Sequence, residues 1–238
     1  MPISARPTLR ASRSRLIGAG IVGALVAALL AGGRITVDQI VAYLAIIASV
    51  IVAGAVTSLV ARRQVPVAEV GLVPTVRSRV DVLGTIIVPA LLLLGGIGLF
   101  GWLRPMPSLP AARGGRNALV IRSLVAPAVH LVAALLAAWA FRSTRGTSLD
   151  WFAQGCLTVG YVNLWLLVIA MVPVPPLPGS VLLERMLPVA TWARYARIRP
   201  HLLQAALGVL LLSVMVGLGL TTAVQSLLGG WWASLAGL

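Results

Sequence analysis

Six uncharged apolar runs constrain this 238-residue chain more than any other feature. They cover residues 16–33, 40–61, 82–103, 123–141, 151–183 and 202–238. A helix needs about 17 to 25 apolar residues to cross the hydrocarbon core of a bilayer, so each run is long enough to do so. The chain is 59% apolar and only 10% charged, and no water-soluble surface could accommodate such runs. The sequence therefore predicts an all-α membrane protein, a polytopic helical bundle of five to six transmembrane segments.

The chain carries a formal net charge of +14, and all 19 of its basic residues are Arg. This excess does not indicate nucleic-acid binding, because the arginines lie in short loops between apolar runs. The composition is typical of a GC-rich genome. The single Cys156 has no partner for an internal disulfide and is expected to be a buried small side chain.

The distribution of arginines bears on how the run 82–103 meets the membrane. If all six runs cross, the two sides receive ten and nine arginines, although short cytoplasmic loops normally carry a strong excess. If this run instead enters and returns to the same side, as Pro89 and the Gly95-Gly96 pair permit, the balance becomes sixteen to three. The charges therefore favour five crossings, a re-entrant element at 82–103 and a cytoplasmic N-terminus, with an ordinary sixth crossing as the alternative.

The predicted organisation is a basic cytoplasmic N-terminus at 1–15 followed by one integral membrane domain at 16–238. The first apolar run is longer than the core of a secretory signal and is expected to be an uncleaved helix. The loops are short and carry Pro, Gly and Arg rather than a core-forming pattern, so no soluble sensing domain is expected.

Four short elements follow one another from about residue 40 to the C-terminus. They are Asp81-Val-Leu-Gly-Thr85 with Phe100-Gly-Trp-Leu-Arg-Pro105, then Ser123-Leu-Val-Ala-Pro-Ala-Val-His130, then Asn163-Leu-Trp-Leu-Leu-Val-Ile-Ala-Met-Val-Pro-Val-Pro-Pro-Leu-Pro-Gly179, and finally Ala193-Arg-Tyr-Ala-Arg197. The first three resemble elements of the site-2 protease family, namely D-P-L-G-T with F-G-W-x-x-P, S-L-A-G-P-x-x-N and N-L-x-L-x-x-F-N-L-L-P-I-P-P-L-D-G. The fourth resembles the C-terminal end of that family. These are intramembrane zinc metalloproteases, and the chain is similar to their short bacterial form.

The resemblance implies a zinc site made by two His and a Glu from H-E-x-x-H and the Asp of an L-D-G loop. Such a site lowers the pKa of a zinc-bound water so that it can attack a peptide bond. Here Ala53 and Thr57 stand at the two His positions, Gly54 stands at the general base and Pro178 at the Asp ligand. No His or Glu occurs from 16 to 68, so this result does not depend on the register of the alignment. The zinc expected for the family therefore has no ligands here, and no cofactor is predicted.

The remaining polar groups of the apolar runs carry two interpretations each. His130 is expected to be packed and hydrogen-bonded inside the bundle or to line a cavity, and His201 is expected at the membrane interface. Asn163 needs a hydrogen-bond partner at membrane depth, so it either links helices or helps to hold an extended peptide. The peptide groove would then combine His130 and Asn163 with the proline loop, namely Pro173, Pro175, Pro176 and Gly179.

These observations favour a catalytically inactive site-2-protease-like integral membrane protein that acts as a scaffold or regulator of transmembrane partners. Two alternatives stay open: an active membrane zinc metalloprotease with an unrecognised site, and a small transporter or channel subunit. The transporter hypothesis lacks an acidic residue in the apolar runs to couple ions. Expected partners are the lipid bilayer and other transmembrane proteins, whereas the sequence does not predict the oligomeric state.

Overall fold

The structure is a computed structural model that describes residues 35–94, 99–104, 106, 115–175, 177–215 and 220–238. It is all-α, and no strand occurs within these ranges. The helices are α1 (Val37–Gln64), α2 (Val76–Arg79), α3 (Val88–Leu94), α4 (Gly115–Thr144), α5 (Asp150–Met171), α6 (Pro178–Met186), α7 (Trp192–Met215) and α8 (Leu220–Ala236). Two 3-10 helices at Val67–Leu72 and Val189–Thr191 and a π-helical segment at Val82–Ile87 connect some of them.

The chain divides into two compact units, residues 1–40 and 41–238. The first is described only from Ile35, and there it contains the start of α1. The side chain of Thr36 accepts a hydrogen bond from the backbone N–H of Gln39, and the Gln39 side chain accepts one from the N–H of Thr36. This reciprocal cap satisfies two backbone donors and defines where the helix begins. With 28 residues, α1 is about 42 Å long, which exceeds the hydrocarbon thickness.

Three helices in the described part of the chain are long and apolar enough to cross a membrane. They are Val37–Gln64, Asn117–Thr144 and Asp150–Met171. The predicted run 16–33 lies outside the described residues, and the total of five to six segments stays a prediction. The helical character of the protein, by contrast, is confirmed.

The segment after α2 forms a hairpin whose two ends lie side by side. Its helical part, Val82 to Leu94, would be only about 20 Å long at 1.5 Å per residue. The returning segment 99–104 is not helical, and it pairs with the start of the hairpin. The N–H of Trp102 donates to the carbonyl of Gly84 at 3.0 Å, and the N–H of Arg104 donates to the carbonyl of Arg79 at 2.8 Å. Backbone hydrogen bonds therefore join the two ends of this segment, while its re-entry into a membrane stays a prediction.

The largest buried cluster lies where α4, α5 and α8 meet. Phe141 and Ala153 contribute from the first two helices, and Trp232 of α8 contributes its indole. The six-membered ring of the indole lies against Gly160, where any Cβ would overlap it. A glycine is needed on α5 at this point because the two helices approach so closely.

The last apolar run, 202–238, is not one helix as the sequence analysis expected. It comprises most of α7, which ends at Met215, and α8, which begins at Leu220, with 216–219 outside the described residues. The C-terminal end of α8 returns to the loop between α4 and α5. Arg142 Nη2 donates to the carbonyl of Ser234 at 3.2 Å, and Arg145 Nη1 donates to that of Gly237 at 2.8 Å. The C-terminus and this loop therefore lie at the same end of the bundle.

Candidate functional site

The residues of α1 that the sequence resemblance aligns with zinc-binding positions lie on a buried face of the helix. Ala53 and Thr57 are both buried. The Thr57 hydroxyl donates to the carbonyl of Ala53 at 2.7 Å, one turn back along its own helix. A buried threonine in an apolar helix usually donates to the carbonyl one turn back, because its hydroxyl cannot reach water. The donor capacity of the Thr57 hydroxyl is therefore used within α1.

Gly54, at the position of the missing general base, is in contact with the returning segment of the hairpin. A Cβ placed on it would overlap the Cδ1 atom of Leu103. The other neighbour is Arg79, whose Nη1 atom donates to the carbonyl of Gly54 at 3.3 Å and to the hydroxyl of Ser58 at 3.4 Å. The side of α1 that would need a carboxylate is filled by a leucine methyl and a guanidinium.

Arg79 is the residue that sequence reasoning missed at this site. Its side chain is only 9% exposed, and its Nε atom donates to the carbonyl of Arg104 at 3.0 Å. Burial lowers the pKa of Arg79 below its ordinary value. The guanidinium nevertheless stays charged near neutral pH, because its ordinary pKa is so high. Its acceptors are neutral carbonyl and hydroxyl oxygens, so the residue joins α1 to both ends of the hairpin. A basic residue just before the hairpin was visible in the sequence, but its inward direction was not.

The residues present do not fit a zinc ion. Zinc is bound by imidazole, thiolate or carboxylate groups, whereas Ala53, Gly54 and Thr57 offer one hydroxyl that is already used. The neighbouring cation of Arg79 would also repel a divalent metal. Within the described ranges, His, Cys, Asp and Glu side chains form no group of three or more that could hold a metal. The family's chemistry cannot be derived from this donor set.

The proline loop connects α5 to α6 through two tight turns. The N–H of Val174 donates to the carbonyl of Val172, and the N–H of Leu177 donates to that of Val174, each at 2.8 Å. Pro178, at the degenerate Asp position, is the first residue of α6, where a proline costs no hydrogen bond. Gly179 lies so close to the carbonyl of Met171 that a side chain would overlap it. Pro178 therefore starts a helix that turns back against the end of α5.

The other groove residues differ in their exposure. Pro173 is exposed, whereas Pro175 and Gly179 are buried. Pro176 lies outside the described residues. Of these loop residues, Pro173 is the one that an approaching peptide could reach.

His130 of α4 and Asn163 of α5 form a buried polar pair, although sequence reasoning named both without pairing them. The exposed fractions are 5% for His130 and 1% for Asn163, and the Nδ1 and Oδ1 atoms are 3.1 Å apart. Asn163 also donates from Nδ2 to the carbonyl of Val159 at 2.9 Å. Its Oδ1 must then accept, which assigns the ring proton of His130 to Nδ1. The pair links the two helices at membrane depth.

A second polar cluster lies between α6 and α7. Tyr195 donates its hydroxyl to Glu184 at 2.9 Å, and Arg199 Nε donates to the same carboxylate oxygen at 2.8 Å. The pKa of Tyr195 is raised by burial first and by the hydrogen bond to Glu184 second. His201, two residues after Arg199, is exposed on α7. Cys156, as expected from the sequence, is a buried free cysteine on α5.

No protein-family model, no curated protein and no solved structure matches the chain.

Proposed function

We propose that this chain is a non-catalytic protein of the site-2 protease type, an integral membrane scaffold or regulator that binds transmembrane segments of partner proteins. One observation carries the proposal: where a metalloprotease needs a zinc ligand and a base, α1 presents Ala53 and Gly54, closed off by Arg79 and Leu103. The resemblance of four ordered elements supports the scaffold, and the side chains present argue against hydrolysis.

The hairpin supports the same proposal from a different direction. The two ends of the hairpin hold the two parts of the first of the four resembling elements. These parts are Asp81 to Thr85 and Phe100 to Arg104. They contact each other: Thr85 donates its hydroxyl to the carbonyl of Trp102 at 2.8 Å, and Arg104 pairs with Asp81 at 3.8 Å. Non-helical backbone is tolerated at membrane depth where protein covers it, and here α1 covers it through Gly54. The expected setting is a bacterial cytoplasmic membrane with the N-terminus in the cytoplasm.

Zinc content tests the non-catalytic half of the proposal. The full chain, purified in detergent without added metal, should contain far less than one zinc per chain by elemental analysis. It should also fail to cleave transmembrane test peptides with or without added zinc. About one zinc per chain, lost together with a peptidase activity on chelation, would show that a metal site exists and would refute the proposal.

Partner binding is tested by site-specific photo-crosslinking in native membranes. A benzophenone amino acid at Pro173 probes the exposed end of the proline loop. The control position is Leu136, which is 60% exposed on α4 far along the chain from this loop. Discrete adducts with a membrane protein from position 173 and none from position 136 would support a groove. The same adducts from both positions, or none from either, would argue against it.

A further inference from the structure

A cavity of about 230 Å³ lies between the second half of α1 and the start of α2, and it adjoins the site described above at Ser58. It is lined by Ala55, Ser58, Leu59, Arg62, Thr75 and Val76. The four lining residues of α1 are spaced by three, one and three positions, so they share one face of the helix. None of the lining side chains is acidic, and one of them is a guanidinium.

The polar groups of the cavity have unused hydrogen-bonding capacity. The Nε atom of Arg62 is buried and has no hydrogen-bond partner among the described residues. Ser58 accepts a hydrogen bond from Arg79, so its own hydroxyl proton remains to be donated. Thr75 precedes α2 but makes no side-chain cap to it. A buried donor without a partner is unfavourable, and here the donors converge beside two cations. An acceptor with negative charge would satisfy these donors.

The position of the cavity identifies the kind of anion. Arg62 lies in the last turn of a helix that is long enough to span a membrane, which corresponds to the level of lipid headgroups. Deeper along the same helix the surface becomes apolar. Leu59 lines the cavity with 59% of its surface exposed, and Val52, two turns deeper, is 52% exposed. A ligand at this point meets a polar end beside Arg62 and an apolar surface next to it.

We propose that this cavity binds the phosphate of an anionic phospholipid, with its acyl chain along the exposed face of α1. Arg62 supplies the charged donors, since a guanidinium matches the geometry of phosphate oxygens. Ser58 and Thr75 supply hydroxyl donors on either side, and Arg79 adds positive potential from behind Ser58. The site is independent of the proposed scaffold function, since it needs neither the degenerate motif nor a protein partner.

Lipid titration of the full chain in a neutral detergent tests the proposal. The probes are phosphatidylglycerol and phosphatidylcholine of the same chain length, and bound lipid is counted by native mass spectrometry. Arg62→Gln is compared with Arg63→Gln, a matched control that removes the same charge from an exposed neighbour outside the cavity. We expect phosphatidylglycerol to bind at least tenfold more tightly than phosphatidylcholine. Arg62→Gln should weaken phosphatidylglycerol at least tenfold, and Arg63→Gln should weaken it no more than threefold.

Thr75→Val keeps the net charge and changes an exposed position, so it provides a second variant with little risk to the fold. It should weaken phosphatidylglycerol several-fold and leave phosphatidylcholine unchanged. Equal losses from the Arg62 and Arg63 variants would mean diffuse surface attraction and would overturn the proposal. Equal affinity for the two lipids would overturn it as well. Displacement of the lipid by inorganic phosphate at similar concentration would show a free-phosphate site instead.

Discussion

The packing of Gly54 against Leu103 gives the sharpest test of how the degenerate site is closed. In Gly54→Ala the new methyl group overlaps Leu103 Cδ1, and the returning segment must shift. Overpacking of this kind costs about 1–3 kcal/mol. In the background Leu103→Ala the same methyl enters vacated space, and the gain in helix propensity over glycine contributes about 0.5–1 kcal/mol. The two substitutions are therefore expected to couple by about 2 kcal/mol, within the range that contacting residues show.

The assay is reversible unfolding in mixed micelles by a denaturing detergent, followed by far-UV circular dichroism for each single variant and for the double variant. Leu103→Ala alone should cost about 2 kcal/mol, the low end for such truncations, because Leu103 is only partly buried. Gly155→Ala is the matched control, since nothing lies within 4 Å of its Cβ on α5. It should stabilise the protein by about 0.5–1 kcal/mol, which is the gain in helix propensity alone. If Gly54→Ala costs the same with and without Leu103, the hairpin does not close this side of α1, and the reasoning fails.

Three further substitutions test other contacts. Asn163→Leu leaves the buried ring proton of His130 without an acceptor and should cost about 0.6–1.7 kcal/mol in the same unfolding assay; a neutral result would mean that the pair does not link the helices. Gly160→Val pushes a branched side chain into the indole that packs on it and should cost about 1–3 kcal/mol, whereas unchanged stability would contradict the close approach of α8. In Glu184→Gln the pKa of Tyr195, measured by phenolate absorbance, should fall towards its ordinary 10.0, while the part caused by burial remains. Because the folded pKa is raised, the linked stability is present below pH 10.0 and is lost as the pH rises through the folded value, so this high-pH loss should shrink in the variant.

Sequence reasoning succeeded where the information is local. A run of apolar residues predicts a membrane helix without reference to any other part of the chain, and α1, α4 and α5 follow such runs. Proline and glycine likewise predict a break after α5, and the helix ends at Met171. The re-entrant element at 82–103, expected from the balance of arginines, stays a prediction, although backbone hydrogen bonds join its two ends.

The same reasoning failed where uniform composition hides a boundary. The run 202–238 contains no charge and no proline, so it counts as a single apolar run although α7 ends and α8 begins within it. Residues in α8 face a partner surface made by α4 and α5, and Trp232 fits only because Gly160 leaves room for it. That fit depends on two residues far apart in the chain.

The sequence by itself determined that the chain is helical and suited to a membrane, and that α1 contains no His, Cys or Glu, because both follow from which residues are present. Only the tertiary structure decided that Arg79 points at the carbonyl of Gly54 and that His130 meets Asn163. These contacts join residues 25 and 33 positions apart. The relative rotation and spacing of packed helices sets such contacts, and no periodicity along a single helix contains that information.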